Sequence, residues 1–272
     1  MQFETLSEPE WERVQEAWQA LEAGKVDEAR PLIDLLLAER PGHPDLRMVY
    51  AALLLEEGEA RPALETLKGA EQSADPAAFF HLRGLAEHDL LMFEDALKDG
   101  ERALAIRDDM PEAHDLMSRA LEHLGRDREA AEHAENANDL DPEDYPAPLE
   151  MTDEAFDQCV ERSLAELPAA VLKELDEITV IIDSLPLREM LTAEDPPLAP
   201  DLLGLFVGHA LMERSGQDAP SVPGAIHLFR RNLLRMCHSP EELEREIRIT
   251  VQHEVGHLLG LDEDELERWG LA

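Results

Sequence analysis

GKVDEA (Gly24–Ala29), EARPA (Glu59–Ala63), MFEDA (Met92–Ala96) and GRDREA (Gly125–Ala130) are charged, turn-like stretches that each end in an alanine. Intervals of 34, 33 and 34 residues separate the four alanines. A fixed interval of this length is typical of a repeated supersecondary unit that buries its apolar face only against its neighbours. The first half of the chain is therefore predicted to be a stack of repeated units.

Glycine and proline recur around these alanines. Pro41 and Pro142 each follow their alanine by twelve residues, and Gly24 and Gly125 each precede theirs by five. Small residues let two antiparallel helices approach closely, and proline ends the second helix of a unit. With this period, the segment from about residue 9 to 142 resembles an array of about four tetratricopeptide repeats, which are helix-turn-helix units.

The third unit departs from the pattern, because Asp108 stands where proline is expected. The resemblance rests on period and small residues, and it implies a superhelix with a concave groove. Such a groove usually binds a peptide or a partner protein, here a protein substrate or adaptor. The many acidic side chains favour a basic partner segment, and the alternative is that the groove cradles the rest of the same chain.

The charge balance restricts the partners further. Among 272 residues, 62 are Asp or Glu and 24 are Lys or Arg, which gives a formal net charge of -38 at pH 7. This charge repels nucleic-acid phosphates and anionic lipids, so we expect no nucleic acid and no membrane as partners. No stretch approaches the roughly 20 apolar residues of a membrane span, and two cysteines make no disulfide framework. We therefore expect a cytoplasmic protein, whose oligomeric state is left open.

A proline-containing stretch, EDYPAPLEM, follows the repeats and is typical of a short stiff linker. We predict a repeat array over residues 1–145, a linker over 146–151 and a second domain over 152–272. Compact apolar runs in the second domain are strand candidates, namely ITVIID, LLGLFVG and AIHLFR. The chain is thus predicted to be multidomain, with an all-α superhelix followed by a small α+β domain.

The motif HEVGHLLGLDEDE, from His253 to Glu265, lies near the end of the chain. A hydroxyl cap, a proline and a glutamate three residues after the cap predict a helix start at Ser239, Pro240 and Glu242. We expect the helix to continue to about Leu259. Its apolar stripe should face the core, with His253 and His257 on roughly the opposite side.

Two imidazoles four residues apart on a helix can bind one ion at about 2.0 to 2.1 Å. Glu254 would lie beside that ion without binding it, where it can accept a proton from a water on the ion and pass it to a leaving group. The motif therefore predicts His253 and His257 as metal ligands and Glu254 as the catalytic base. Zinc is the expected metal, although such ligands also suit manganese, iron, cobalt or nickel.

Gly260 provides a route for a third ligand. A helix that ends at glycine can reverse through a left-handed residue and bring the following side chains back toward the histidines. In enzymes with the extended pattern His-Glu-x-x-His-x-x-Gly-x-x-ligand, the third ligand stands six residues after the second histidine, which here is Glu263. Asp262 and Asp264 are the alternatives.

From about Thr152 to Leu271 the chain resembles the compact bacterial zincin-like metallopeptidase family. The matching segments are LAELP, ITVIID, LGLFVG followed by MERS, AIHLFR and ITVQHEVGHLLGLDEDELERWGL. The resemblance implies zinc at His253 and His257, Glu254 as the base, and a peptide substrate along a sheet edge beside the helix. AIHLFR (Ala225–Arg230) is the candidate for that edge strand.

Three hypotheses of function follow. The first is a zinc-dependent hydrolase, most simply a peptidase, whose repeats bind a protein substrate or adaptor. The second is a protein-interaction scaffold with a structural or vestigial metal site. The third is metal-assisted hydrolysis of a bond that is not a peptide bond.

Overall fold

The computed structural model describes residues 5–71, 75–167, 178–193, 195–208 and 224–259. The chain divides into two compact units, one of Met1–Ala147 with Glu194–Ala199 and the other of Pro148–Ala193 with Pro200–Ala272. The first unit is helical, and the second contains a small sheet. The predicted fold class, an all-α repeat region followed by a small α+β domain, is confirmed. The predicted domain limits stay predictions.

Helical hairpins build the first unit. Its helices are α1 (Glu8–Glu22), α2 (Val26–Glu39), α3 (Pro44–Glu56), α4 (Ala60–Leu67), α5 (Pro76–Asp89), α6 (Phe93–Ile106), α7 (Pro111–His123) and α8 (Asp127–Leu140). Each helix packs against the next. The alanines that define the period lie in the second helix of each hairpin, where they are at most 2% exposed. They are Ala29, Ala63, Ala96 and Ala130.

The turn inside each hairpin repeats the same backbone structure. Gly24, Gly58 and Gly125 have positive φ angles, and Leu91 takes the equivalent position in the third hairpin with φ 61°. In all four turns the amide of this residue donates to the carbonyl three residues earlier, and the next amide donates to the carbonyl five residues before itself. This Schellman arrangement satisfies carbonyls at the end of the first helix. The recurring turn explains the glycines of the sequence period.

Leu91 shows that burial can replace glycine in this turn. The left-handed conformation costs about 1 to 2 kcal/mol for a residue with a Cβ. The Leu91 side chain is only 1% exposed, and full burial of a leucine contributes about 1.5 to 3 kcal/mol. The apolar contact therefore offsets the backbone strain, which is why the third unit keeps its turn without glycine.

A buried ionic cluster joins α5 to α6. Asp99 is 2% exposed and accepts hydrogen bonds from Arg83 Nη2 at 2.7 Å and Arg102 Nη1 at 2.8 Å. Glu87 is buried beside it, and its Oε2 has no hydrogen-bond partner among the described residues. Burial and then repulsion from Asp99 raise the pKa of Glu87 to about 7, against the attraction of Arg83. Glu87 is therefore an acid whose ionised form is disfavoured by the fold.

The second unit combines helices with a mixed sheet. Its elements are α9 (Asp153–Ala165), β1 (Thr179–Asp183), α10 (Arg188–Leu191), β2 (Gly204–Val207), β3 (Ala225–Phe229), α11 (Arg230–Met236) and α12 (Pro240–Leu258). The strand order is β1-β3-β2, with β1 parallel and β2 antiparallel to β3. No helix of the described ranges is long and apolar enough to cross a membrane.

The expectation that AIHLFR forms a sheet edge is wrong. This segment is β3, which has a partner on each side, so β1 and β2 are the edges of the sheet formed by the described strands. The burial of β3 agrees with its central position, since Ile226, Leu228 and Phe229 are fully buried. A nearly continuous apolar run is typical of a strand covered on both faces.

Helix α12 covers one face of the sheet. Its apolar stripe of Leu243, Ile247, Val251 and Val255 is at most 1% exposed. These residues share one core with Ile226 and Leu228 of β3 and with Phe156 and Cys159 of α9. The predicted orientation of the apolar stripe is confirmed.

Gly125→Ala should destabilise the protein by about 1 kcal/mol, because alanine is strained at positive φ. An added Cβ at Gly125 meets no described atom within 4 Å, so the effect isolates the backbone conformation. Urea unfolding measures the change. Arg128→Ala, at a highly exposed position of the neighbouring helix, is the control and should change stability by less than about 0.5 kcal/mol. Equal stability of Gly125→Ala and wild type would contradict a strained turn.

Glu87→Gln should stabilise the protein increasingly as the pH rises from 6 to 8.5. The ordinary pKa of 4.5 is raised to about 7 by folding, so the folded state holds the Glu87 proton more tightly. Stability contributed by this group is complete below pH 4.5 and is lost as the pH rises through 7. At pH 8.5 the variant should be more stable by about 1 to 3 kcal/mol.

Urea unfolding across this pH range measures the effect and avoids the isoelectric point near 4.4. Glu135→Gln is the control, because it makes the same substitution at an exposed position of α8. A Glu87→Gln curve parallel to that of wild type would show that Glu87 ionises normally.

Candidate metal centre

Helix α12 carries the histidine motif and begins as predicted. Ser239 Oγ accepts a hydrogen bond from the amide of Glu242 at 3.1 Å, and Pro240 stands in the first turn. The helix continues to Leu258, with Leu259 as its C-cap. The predicted helix from the Ser239 cap to about Leu259 is confirmed.

His253 and His257 face each other across one turn of α12. Their Nε2 atoms are 3.0 Å apart, the ring planes meet at 83°, and both residues are half-buried. Two nitrogens bound to one tetrahedral zinc at about 2.0 to 2.1 Å would lie about 3.3 Å apart. The two nitrogens therefore have nearly the separation that a shared zinc ion requires.

Glu254 lies between the histidines in sequence but points into the domain. It is 6% exposed, and its Oε2 accepts a hydrogen bond from the amide of Phe206 in β2 at 2.6 Å. The amide of Phe229 donates to Leu203 O at 2.9 Å, so residues 203, 205 and 207 make the hydrogen bonds to β3. Phe206 alternates with them and directs its N–H away from β3. The carboxylate thus binds the outer edge of β2.

A close approach of α12 to β2 makes this contact possible. A Cβ added at Gly204 would lie 2.5 Å from Thr250 Cγ2 and 3.0 Å from His227 O. Only a residue without a side chain fits there. Thr250 and Glu254 are one helical turn apart on α12, and Gly204 and Phe206 are two residues apart on β2. The contact between Thr250 and Gly204 therefore brings Glu254 close to Phe206.

His227 belongs to the other face of the sheet. Its neighbours Ile226 and Leu228 pack in the core with α12, so strand alternation directs His227 away from that helix. The ring is 8% exposed, and its Nδ1 lies 2.6 Å from Asp183 Oδ2. This pair links two parallel strands and is separate from the histidines of α12.

The third ligand remains a prediction. Gly260, Asp262, Glu263 and Asp264 lie outside the described residues. Within those residues, no group of three or more His, Cys, Asp and Glu side chains could hold a metal ion. The described part of the centre therefore consists of two converging imidazoles and the adjacent carboxylate.

Comparison with known proteins finds one family match in each half of the chain. Residues 175–271 match the family described as zincin-like metallopeptidase, and residues 20–85 match the tetratricopeptide repeat. The chain thus contains one segment similar to tetratricopeptide repeats and a later segment similar to zincin-like metallopeptidases. The zincin-like match includes the three described residues of the centre, His253, Glu254 and His257.

Solved structures similar to this chain include repeat proteins. MamA is 18% identical, with 46% of this chain and 74% of that chain covered and a TM-score of 0.39. TTC0263, a thermophilic tetratricopeptide-repeat protein of Thermus thermophilus, is 25% identical, with 48% of this chain and 74% of that chain covered and a TM-score of 0.42. A comparison with curated proteins gives no match.

Gly204→Ala in the zincin-like domain should lower the free energy of unfolding by about 1 to 3 kcal/mol, because the new Cβ overlaps Thr250 Cγ2. Thr250→Ser removes that methyl group, so the double variant should be more stable than the sum of the single effects predicts. A coupling energy of about 1 kcal/mol in a double-mutant cycle would locate the conflict at this contact. Additive effects would instead place the conflict at the carbonyl of His227.

Proposed function

We propose that the protein is a zinc-dependent hydrolase, and specifically a peptidase. The observation that carries the proposal is the arrangement on α12, where His253 and His257 place their Nε2 atoms 3.0 Å apart and Glu254 is buried beside them. The match of residues 175–271 to the zincin-like metallopeptidases, which includes these three residues, agrees with it. These residue types are the ones that metal-assisted hydrolysis needs, namely neutral nitrogen ligands and a carboxylate base.

His253, His257 and Glu263 are the residues we assign to the zinc ion, with Asp262 and Asp264 as alternatives to Glu263. When bound, zinc lowers the pKa of a ligated water toward about 7 and polarises the scissile carbonyl group. Two imidazoles with one carboxylate are a known ligand set of catalytic zinc, and they leave the fourth position open. Support for the histidines comes from their spacing, whereas support for Glu263 comes from the sequence pattern alone.

Glu254 is the proposed general base. It takes the proton of the attacking water and returns it to the leaving amine, a role that contributes typically about 10² to 10⁴ in rate. The amide of Phe206 holds the carboxylate from the sheet side at 2.6 Å. A base held in one orientation loses little freedom when the substrate binds, so this contact favours catalysis through pre-organisation.

The outer edge of β2 is the strand we propose for peptide binding, in place of β3. It lies against α12 and is an edge among the described strands. Val207, at the end of β2, is 43% exposed. A peptide that adds to this edge would be held by the outward main-chain groups that remain, since Glu254 occupies the Phe206 amide, with its scissile bond beside the histidine face of α12.

We propose that the repeat array binds a protein substrate or an adaptor protein. Tetratricopeptide repeats support an interaction role, and the formal net charge of -38 supports a partner segment rich in Lys and Arg. Such an interaction would depend on ionic strength, because exposed charges are screened by salt.

Glu254→Gln should retain zinc and lose hydrolysis of a peptide library by roughly 10² or more, since the amide cannot accept the proton. His253→Ala and His257→Ala should lose zinc as well as activity, because each removes a ligand. The measurements are zinc content after metal-replete expression and mass-spectrometric analysis of the peptide products. Glu241→Gln, at an exposed position near the start of the same helix, is the matched control and should behave as wild type.

Other outcomes separate the remaining hypotheses. Wild-type protein that holds no zinc would end the hydrolase proposal. Zinc without any hydrolysis, and with Glu254→Gln indistinguishable from wild type, would favour an interaction scaffold with a structural metal site. In the same zinc assay, Glu263→Ala should weaken binding more than Asp262→Ala, and the reverse order would assign the third ligand to Asp262.

A further inference from the structure

A second pair of histidines lies in the last hairpin of the repeat array. His114 on α7 and His133 on α8 have their Nδ1 atoms 2.8 Å apart and their ring centroids 5.0 Å apart. Both residues are half-buried, so the pair lies at the surface of the hairpin. We propose that His114 and His133 bind a divalent transition-metal ion, which clamps α7 to α8.

The distance between the ring nitrogens supports a shared ion. The separation of 2.8 Å is close to the 3.0 Å between the Nε2 atoms of His253 and His257. An opening of about half an ångström would reach the nitrogen separation of a tetrahedral zinc site. Side chains at a surface can make such a shift by small rotations. Because the two rings come from different helices, the packing of the hairpin has already paired them.

The surroundings favour neutral rings that can bind a cation. Burial lowers the pKa of both histidines, and His133 lowers that of His114 further. A backbone hydrogen bond at Asp108 acts on His114 in the opposite direction. A histidine that donates one ring N–H to a carbonyl keeps a lone pair on its other nitrogen, which is the usual arrangement around metal-binding histidines. Imidazole ligands suit zinc, copper and nickel.

The charges around His133 are mainly negative. Glu129, Glu132 and Glu101 all act on its ring electrostatically, and Arg126 acts against them. Arg126 is itself paired with Glu129 at 2.6 and 2.8 Å. Within the described residues no third ligand completes the set, so water would fill the remaining positions of the ion. We therefore expect a weaker site than one with three protein ligands.

Helix α8 would benefit from such a clamp. Its buried residues are two alanines, Ala130 and Ala137, whereas α7 buries six residues. The end repeat of an array has a neighbouring repeat on one side only, so it depends on its own hairpin contacts. An ion bound to both helices would stabilise the folded hairpin by mass action, because it binds the folded state better than the unfolded chain.

Zinc titration of the full chain with His253→Ala and His257→Ala tests the proposal. This background lacks the pair on α12, so the result is independent of the proposed hydrolase. Calorimetry should detect one remaining zinc site, and zinc should raise the Tm. Adding His114→Ala or His133→Ala should weaken that site by about tenfold or more and remove the shift in Tm. His238→Ala removes an exposed histidine outside both pairs and should change neither result.

Zinc binding that is unchanged by His114→Ala and His133→Ala would overturn the proposal, because it would come from carboxylates elsewhere in this acidic chain. Absence of any remaining site in the background variant would overturn it as well. Circular dichroism without metal checks that each variant is folded. With Cu²⁺ as the probe, electron paramagnetic resonance of the background variant should show two nitrogen ligands. A spectrum with oxygen ligands alone would contradict the site. This measurement does not depend on whether the variants that lack His114 or His133 fold.

Discussion

The close approach of α12 to the edge strand β2 positions the candidate centre. Because Gly204 has no side chain, Thr250 can lie directly against β2. One turn further along the helix, this brings the Glu254 carboxylate to the amide of Phe206. The apolar stripe of the helix then faces the core, and His253 and His257 remain on the half-buried side. One steric condition thus determines which side of the helix meets the sheet and which side carries the two half-buried histidines.

The repeat array follows from a local rule that is visible in the sequence. Small residues recur at 34, 33 and 34 residue intervals, and the structure places each alanine in a hairpin interior. The glycines at the turns were predicted for Gly24 and Gly125 because their backbone has few alternatives to glycine. Leu91 could not be predicted in this way. Its left-handed backbone is stabilised by burial of its side chain, which depends on neighbours in the fold and not on the local sequence.

The same distinction between local and tertiary information applies to the zincin-like domain. The cap at Ser239, the apolar stripe and the shared face of the two histidines follow from helical periodicity, so the sequence was sufficient for them. The order of the strands depends on pairing between distant segments, and for this reason AIHLFR was wrongly expected at an edge. The contact of Glu254 with Phe206 was not foreseen, because a main-chain amide has no signature in the sequence. The third ligand rests on the sequence pattern.

The hydrogen bond between Glu254 and β2 has a consequence for how such a site changes over generations. Its donor is a peptide group, which every residue except proline supplies, so almost any substitution at Phe206 leaves the donor in place. Relatives could therefore diverge freely in the side chains of this strand and still inherit the same support for the carboxylate. Lineages would conserve the path of the backbone here, and an alignment of amino acids would record it only through the glycine at Gly204 and the absence of proline at Phe206.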